Sequence, residues 1–283
     1  MTVTTARAMT GTATVETGAV AIHAPLLRCD PGAAPDAVVR LLCLPHAGAG
    51  ASSFTRWTAL LAPSVELVRI QLPGREDLAA VAPFRRATDA VAALVPEVTA
   101  LARSGAWALY GHSMGALLAV ELARELSAAG LGPRHLFVSG RRAPQLPARR
   151  PAIHHLPDDA FLAALAPTSG PVAGGAALRR YVLRTVRADL ELCEEDPPPP
   201  GPAVSCPITA FHGVDDPIVD REEADAWACR TEAAFTVHAF VGDHLFHQRH
   251  RAALAALMAD ALGRVPQRPP GEGTAHGAGD DGS

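Results

Sequence analysis

Five residues could carry out acyl chemistry if the fold brings them together: Ser113, Asp216, His244, Met114 and Ala47. Gly111-His112-Ser113-Met114-Gly115 fits G-x-S-x-G, and it falls between an apolar run at 107–110 (WALY) and a helical pattern over 114–129. A serine at a sharp strand-to-helix turn sits in strained backbone geometry, and its neighbours must be small; Gly111 and Gly115 meet that demand. Ser113 is therefore the candidate nucleophile. A serine hydroxyl attacks weakly unless a base takes its proton and an acid orients the base. In strand–turn–helix sites of this kind the partners follow in the order Ser, acid, His. After the apolar run 208–211 comes His212-Gly213-Val214-Asp215-Asp216-Pro217-Ile218-Val219. Asp216 fits G-x-x-D-x-x-V and is the candidate acid; its rival is Asp215, whose other role would be turn hydrogen bonding. Val241-Gly242-Asp243-His244 follows the last strand-like run and supplies the candidate base, His244.

An oxyanion needs two aligned N–H donors. The first is the backbone of Met114 at the start of the helix. The second is expected from the loop Pro45-His46-Ala47-Gly48-Ala49-Gly50, with Ala47 N–H best placed. That loop has no G-x-G-x-x-G and no acidic ribose partner, so a dinucleotide loop is excluded. His238 lies inside a strand-like run. His247 and His250 follow His244 at i+3 and i+6 without H-E-x-x-H or a carboxylate ligand, so no metal site is expected and both read as helix surface. His112 reads as a flank of the nucleophile.

These residues need a scaffold that delivers them to one edge. Apolar runs at 38–44, 66–72, 107–110, 135–139, 208–211 and 235–240 read as strands. Helical spacing at 88–102, 114–129 and 245–262 alternates with them. Strands alternating with helices predict an α/β fold with a mostly parallel sheet flanked by helices on both faces. Nearly 70 residues separate the strands ending at Ser139 and starting at Ile208, far beyond an ordinary connection. Helical pieces at 158–165 and 178–192, with proline clusters at 144–151 and 197–200, mark this stretch as an insertion. The expected organisation is a flexible N-terminal segment over 1–34, one domain over 35–264 with its insertion at about 144–200, and a disordered tail over 265–283.

Composition closes off other classes. The 283 residues are 48% hydrophobic and 19% charged, as in a globular chain. With a net charge of −4 and no basic run, nucleic acid is not an expected partner. All 25 basic residues are arginine, which excludes a Schiff-base lysine and a P-loop lysine. Five scattered cysteines without C-x-x-C argue against a disulfide framework and for a reducing cytoplasm. No apolar run approaches the roughly 18–20 residues of a membrane helix. A monomer is the default expectation.

PHAGAG (45–50), LPGRE (72–76), GHSMGA (111–116), DDP (215–217) and GDH (242–244) stand in the order and spacing seen in type II thioesterases. The chain resembles that family from about Leu27 to Leu262. These are stand-alone α/β-hydrolases that accompany polyketide synthases and nonribosomal peptide synthetases. The resemblance implies an α/β-hydrolase fold, no cofactor, and hydrolysis of acyl groups from the phosphopantetheine arm of acyl or peptidyl carrier proteins, clearing misloaded units. It further implies that the insertion is a lid over the acyl chamber, with residues 156–162 as its first helix. The family loop usually reads PHAGG where this chain has Ala49. Arg141, Arg142, Arg149 and Arg150 flank the start of the insertion and could meet an acidic carrier. The competing expectations are a general carboxylesterase acting on small esters, a releasing domain cut from a synthase, and a non-catalytic binding protein on a hydrolase scaffold.

Overall fold

A computed structural model describes residues 25–30, 37–169, 175–194 and 204–264. Seven strands form one sheet: β1 (Leu27–Cys29), β2 (Val39–Leu44), β3 (Val65–Ile70), β4 (Trp107–His112), β5 (Leu136–Ser139), β6 (Ile208–Gly213) and β7 (Phe235–Phe240). Their order is β1-β3-β2-β4-β5-β6-β7; every pairing is parallel except β1 against β3. The helices are α1 (Thr58–Leu61), α2 (Ala87–Arg103), α3 (Met114–Ala128), α4 (Asp158–Ser169), α5 (Ala176–Tyr181), α6 (Arg187–Glu194), α7 (Arg221–Asp225), α8 (Phe246–Arg249) and α9 (Arg251–Arg264).

Parallel strands covered on both faces carry apolar side chains on both. In β2 the period of two splits them: Leu42 and Leu44 join the cluster under α2 and α3, while Leu41 and Cys43 join the one under α1 and α9. Near-continuous apolar runs thus become strands buried on each side. The expected helix over 245–262 is interrupted at His250, giving α8 and α9.

The expectation of a loose segment through residue 34 is corrected over its last part. Leu27–Cys29 pairs antiparallel with β3, and the Glu97 carboxylate accepts the N–H groups of Leu26 (2.8 Å) and Leu27 (3.2 Å). Three residues are too few to show a period, so only the waiting sheet edge reveals the strand. Residues 1–24, 31–36, 170–174, 195–203 and 265–283 lie outside the described residues, including the second proline cluster and the tail.

The insertion between β5 and β6 carries α4, α5 and α6, with a π-helical turn at Val182–Val186 between the last two. Phe161, Leu165 and Val182 form a small core of its own, and the Arg187 guanidinium lies 4.2 Å from the centre of the Phe161 ring. No helix among the described residues is long and apolar enough to cross a membrane.

Candidate active site

Ser113 stands at the turn from β4 into α3 with φ 54° and ψ −111°. A left-handed φ is costly for a residue with a side chain, so the surroundings must impose it. A Cβ on Gly111 would lie 2.2 Å from the Gly115 carbonyl oxygen, and one on Gly115 would lie 2.1 Å from that of Leu44. The helix therefore crosses β2 and its own strand at backbone contact, which glycine alone allows. The Ser113 N–H donates to the Ser139 carbonyl (2.8 Å), anchoring the turn to β5. The same Ser139 holds the ring of His112 through its hydroxyl (2.9 Å from Nδ1).

The acid and base loops leave the same edge of the sheet, at the C-terminal ends of β6 and β7. Two backbone bonds tie them together: Val214 N–H to Phe240 O (2.8 Å) and Asp215 N–H to Gly242 O (3.0 Å). His244 Nδ1 donates to Asp216 Oδ2 at 2.8 Å, and Asp216 Oδ1 accepts the N–H groups of Ile218 (2.8 Å) and Val219 (3.3 Å). The Asp216 side chain is fully shielded, and that of His244 is 9% exposed. Asp215 is exposed and takes no part in this bond. With Nδ1–H given to Asp216, His244 keeps a lone pair on Nε2.

The Pro45–Gly50 loop follows β2. Gly48 has φ +79°, and the Ala49 N–H closes a turn onto His46 O (3.0 Å). Among the described residues no protein acceptor takes the N–H of Ala47 or of Met114. The LPGRE residues brace this loop. Arg75, 2% exposed, donates to Ala49 O (3.2 Å) and forms a two-pronged pair with Asp189 of α6 (2.7 Å each). Glu76, at φ 49°, accepts from the Ser52 hydroxyl (2.6 Å). Gln71 Oε1 accepts the Ala51 N–H (2.9 Å), and its amide donates to Arg75 O (2.9 Å).

Known proteins match this chain in sequence and in fold. A family profile described as "Thioesterase domain" matches residues 39–262. The chain belongs to the thioesterase family. It is 36% identical over 230 residues to the gramicidin S biosynthesis protein GrsT of Aneurinibacillus migulanus, covering 80% of this chain and 90% of that one. It is 37% identical over 217 residues to the thioesterase PikA5 of Streptomyces venezuelae, covering 75% and 77%. Among solved structures, the type II thioesterase BorB from the borrelidin biosynthetic cluster superposes with a TM-score of 0.76 at 36% identity, over 86% of this chain and all of that one. The thioesterase described here is thus a type II thioester hydrolase with the α/β-hydrolase fold.

One expectation about its histidines needs correction. His247 is not helix surface: it is 4% exposed, and its ring lies 3.8 Å from that of His112, centre to centre. His112 is also 5.2 Å from His244, and His46 is 5.2 Å from His247. The sequence signal was present, since His247 falls one helical turn after His244, but only the packing of α8 under the loop turns it inward. Burial, then the charge of His244 and Arg75, lowers His46 to about 4. Burial, then neighbouring imidazoles, lowers His112 and His247 well below the usual value. These three rings are neutral at working pH and form an uncharged backing for His244. Among the described residues no group of three His, Cys, Asp or Glu side chains could hold a metal.

Arg149 and Arg150 are exposed at the start of the insertion. Arg149 pairs with Asp220 and with Glu223 (3.1 Å), and Arg150 donates to Pro217 O (2.6 Å). They clasp the start of the insertion to the loop that carries Asp216.

Proposed function

We propose that this thioesterase cleaves acyl thioesters from the phosphopantetheine arm of acyl or peptidyl carrier proteins, removing misloaded units during polyketide or nonribosomal peptide synthesis. The observation that carries the site assignment is the 2.8 Å Asp216–His244 bond on loops at the same sheet edge as the strained Ser113. Ser113 Oγ attacks the thioester carbonyl as its proton passes to His244 Nε2. The carbonyl oxygen becomes an oxyanion facing the N–H groups of Met114 and Ala47, each worth about 3–4 kcal/mol in the transition state. As the C–S bond breaks, the proton passes from His244 to the departing pantetheine sulfur. A water then attacks the acyl-enzyme, giving its proton to His244; the free acid leaves as Ser113 Oγ takes that proton back. Asp216 holds the imidazole tautomer and stabilises the imidazolium. The carrier assignment is supported by the naming of GrsT after gramicidin S biosynthesis and of BorB as a type II thioesterase of the borrelidin biosynthetic cluster.

The test is intact-protein mass spectrometry of an acyl-loaded carrier protein incubated with the enzyme, with Ser113→Ala as control. Loss of the acyl mass with the unmutated chain alone is expected. A carrier that stays loaded while p-nitrophenyl esters are cleaved overturns the carrier assignment in favour of a general carboxylesterase.

A further inference from the structure

The insertion does more than lie beside the site. Asp189 projects from α6 and is 1% exposed, yet none of the catalytic steps above uses it. Its Oδ2 accepts the Gly48 N–H at 2.7 Å and one Arg75 N–H at 2.7 Å, while Oδ1 takes the second Arg75 N–H at 2.7 Å. Arg75 passes the link on to Ala49 O (3.2 Å) and Pro73 O (3.2 Å). The Tyr181 hydroxyl, at the end of α5, donates to Gly48 O (2.5 Å). The Thr185 hydroxyl donates to Gly74 O (2.9 Å). Both polar groups of Gly48, the residue after Ala47, are thus held by the insertion. A Cβ at Gly48 would lie 2.9 Å from Val186, so the two segments are in close contact there.

The helix is built for this. Tyr181, Thr185 and Asp189 recur every four residues, and in an α-helix each such step drifts by about 40° around the axis. The wider π-helical turn at Val182–Val186 counters that drift and keeps all three facing the two loops. A buried ion pair is a poor source of net stability compared with apolar packing. An apolar pair, however, could bond neither Gly48 N–H nor Ala49 O. The Arg75–Asp189 pair therefore fixes direction: it sets the plane of the Ala47–Gly48 peptide, and with it the aim of the preceding N–H of Ala47.

We infer that Asp189 is a positioning residue for thioester hydrolysis: from the insertion it fixes the Ala47 donor, so the oxyanion hole is completed by the insertion and not by the sheet domain alone. The inference rests on the oxyanion assignment under Proposed function. Because the insertion and the oxyanion loop share this clamp, an acyl chain that shifts α5 or α6 changes turnover, and selectivity is then expressed in kcat.

The experiment compares the full chain with Asp189→Asn, Tyr181→Phe and Ser113→Ala on an acyl-loaded carrier protein. It measures kcat and KM, the inhibition constant of an arylboronic acid that forms a tetrahedral adduct with a serine, and thermal stability. Misaiming an oxyanion donor acts on the transition state. Folded Asp189→Asn is expected to lose kcat about tenfold to a hundredfold with KM within about threefold, its boronate affinity falling in step with kcat/KM. Tyr181→Phe removes one hydroxyl from a half-buried ring and is expected to shift the same quantities in the same direction by less. A folded Asp189→Asn with kcat within about twofold of the parent, or with its loss confined to KM, overturns the inference. Should Asp189→Asn fail to fold, Tyr181→Phe decides, and an unchanged kcat and boronate affinity overturns it. Turnover retained by Ser113→Ala overturns the nucleophile assignment instead, and the inference with it.

Discussion

A carboxylate that orients an imidazole must itself be held still, and Asp216 is held on both oxygens. One faces His244, and the other is fixed by the N–H groups of Ile218 and Val219 in its own turn. Asparagine at 216 keeps the shape but can present N–H to Nδ1, favouring the wrong tautomer. The expected loss in kcat is about 10⁴-fold, by analogy with other Ser-His-Asp triads. Exposed Asp215 makes no such contact, and Asp215→Asn is expected to stay within about twofold. Steady-state thioester hydrolysis by the two variants checks the ranking, and the reverse order moves the acid to Asp215. In sequence the G-x-x-D-x-x-V spacing favoured Asp216 but left Asp215 as a rival in the same turn. Only the path of the loop, tied at Val214 and Asp215 to the loop after β7, decides which one reaches back to His244.

At the scale of elements, the nucleophile turn is a packing problem before it is a catalytic device. Helix α3 passes so close to β2 that Gly115 touches the Leu44 carbonyl, and the strain at Ser113 is maintained by that contact. Gly115→Ala is expected to lower stability by about 1–3 kcal/mol as the backbones separate, with activity falling further than stability. Urea unfolding followed by turnover at full folding checks this; an unchanged midpoint means that the crossing has slack. The strand–turn–helix unit was legible because its glycines, its apolar runs and its serine all demand the same geometry. The bracing role of LPGRE was not legible. Arg75 and Glu76 are ordinary charged residues in sequence, and their targets at Ala49, Ser52 and Asp189 lie 26, 24 and 114 positions away.

For the whole molecule, buried imidazoles tie stability to pH. His46 and His135 are lowered by burial to about 4, and His112 and His247 lie well below their usual value. In the unfolded chain each has a value of about 6.5. Below that pH the unfolded chain binds protons that the native one refuses, so native stability is fully present above about pH 6.5 and falls as pH drops toward 4. The slope is up to about 1.4 kcal/mol per pH unit for each ring that charges only on unfolding. Denaturant unfolding from pH 8 to pH 5 checks the sign, and a flat profile contradicts it. His247→Asn is expected to reduce the slope by one group. The sequence by itself determined the alternation of strands and helices and the sharp strand-to-helix turn at Ser113, and it put forward serine, acid and base in that order, because these depend on local period, glycine placement and short motifs. Tertiary structure alone decided that His247 lies buried against His112, that Leu27–Cys29 adds an edge strand, and that Asp189 reaches Gly48, and it brought Asp216 rather than its rival Asp215 to His244. Each of these depends on groups distant in the chain meeting where water is excluded, and no local pattern encodes such a meeting.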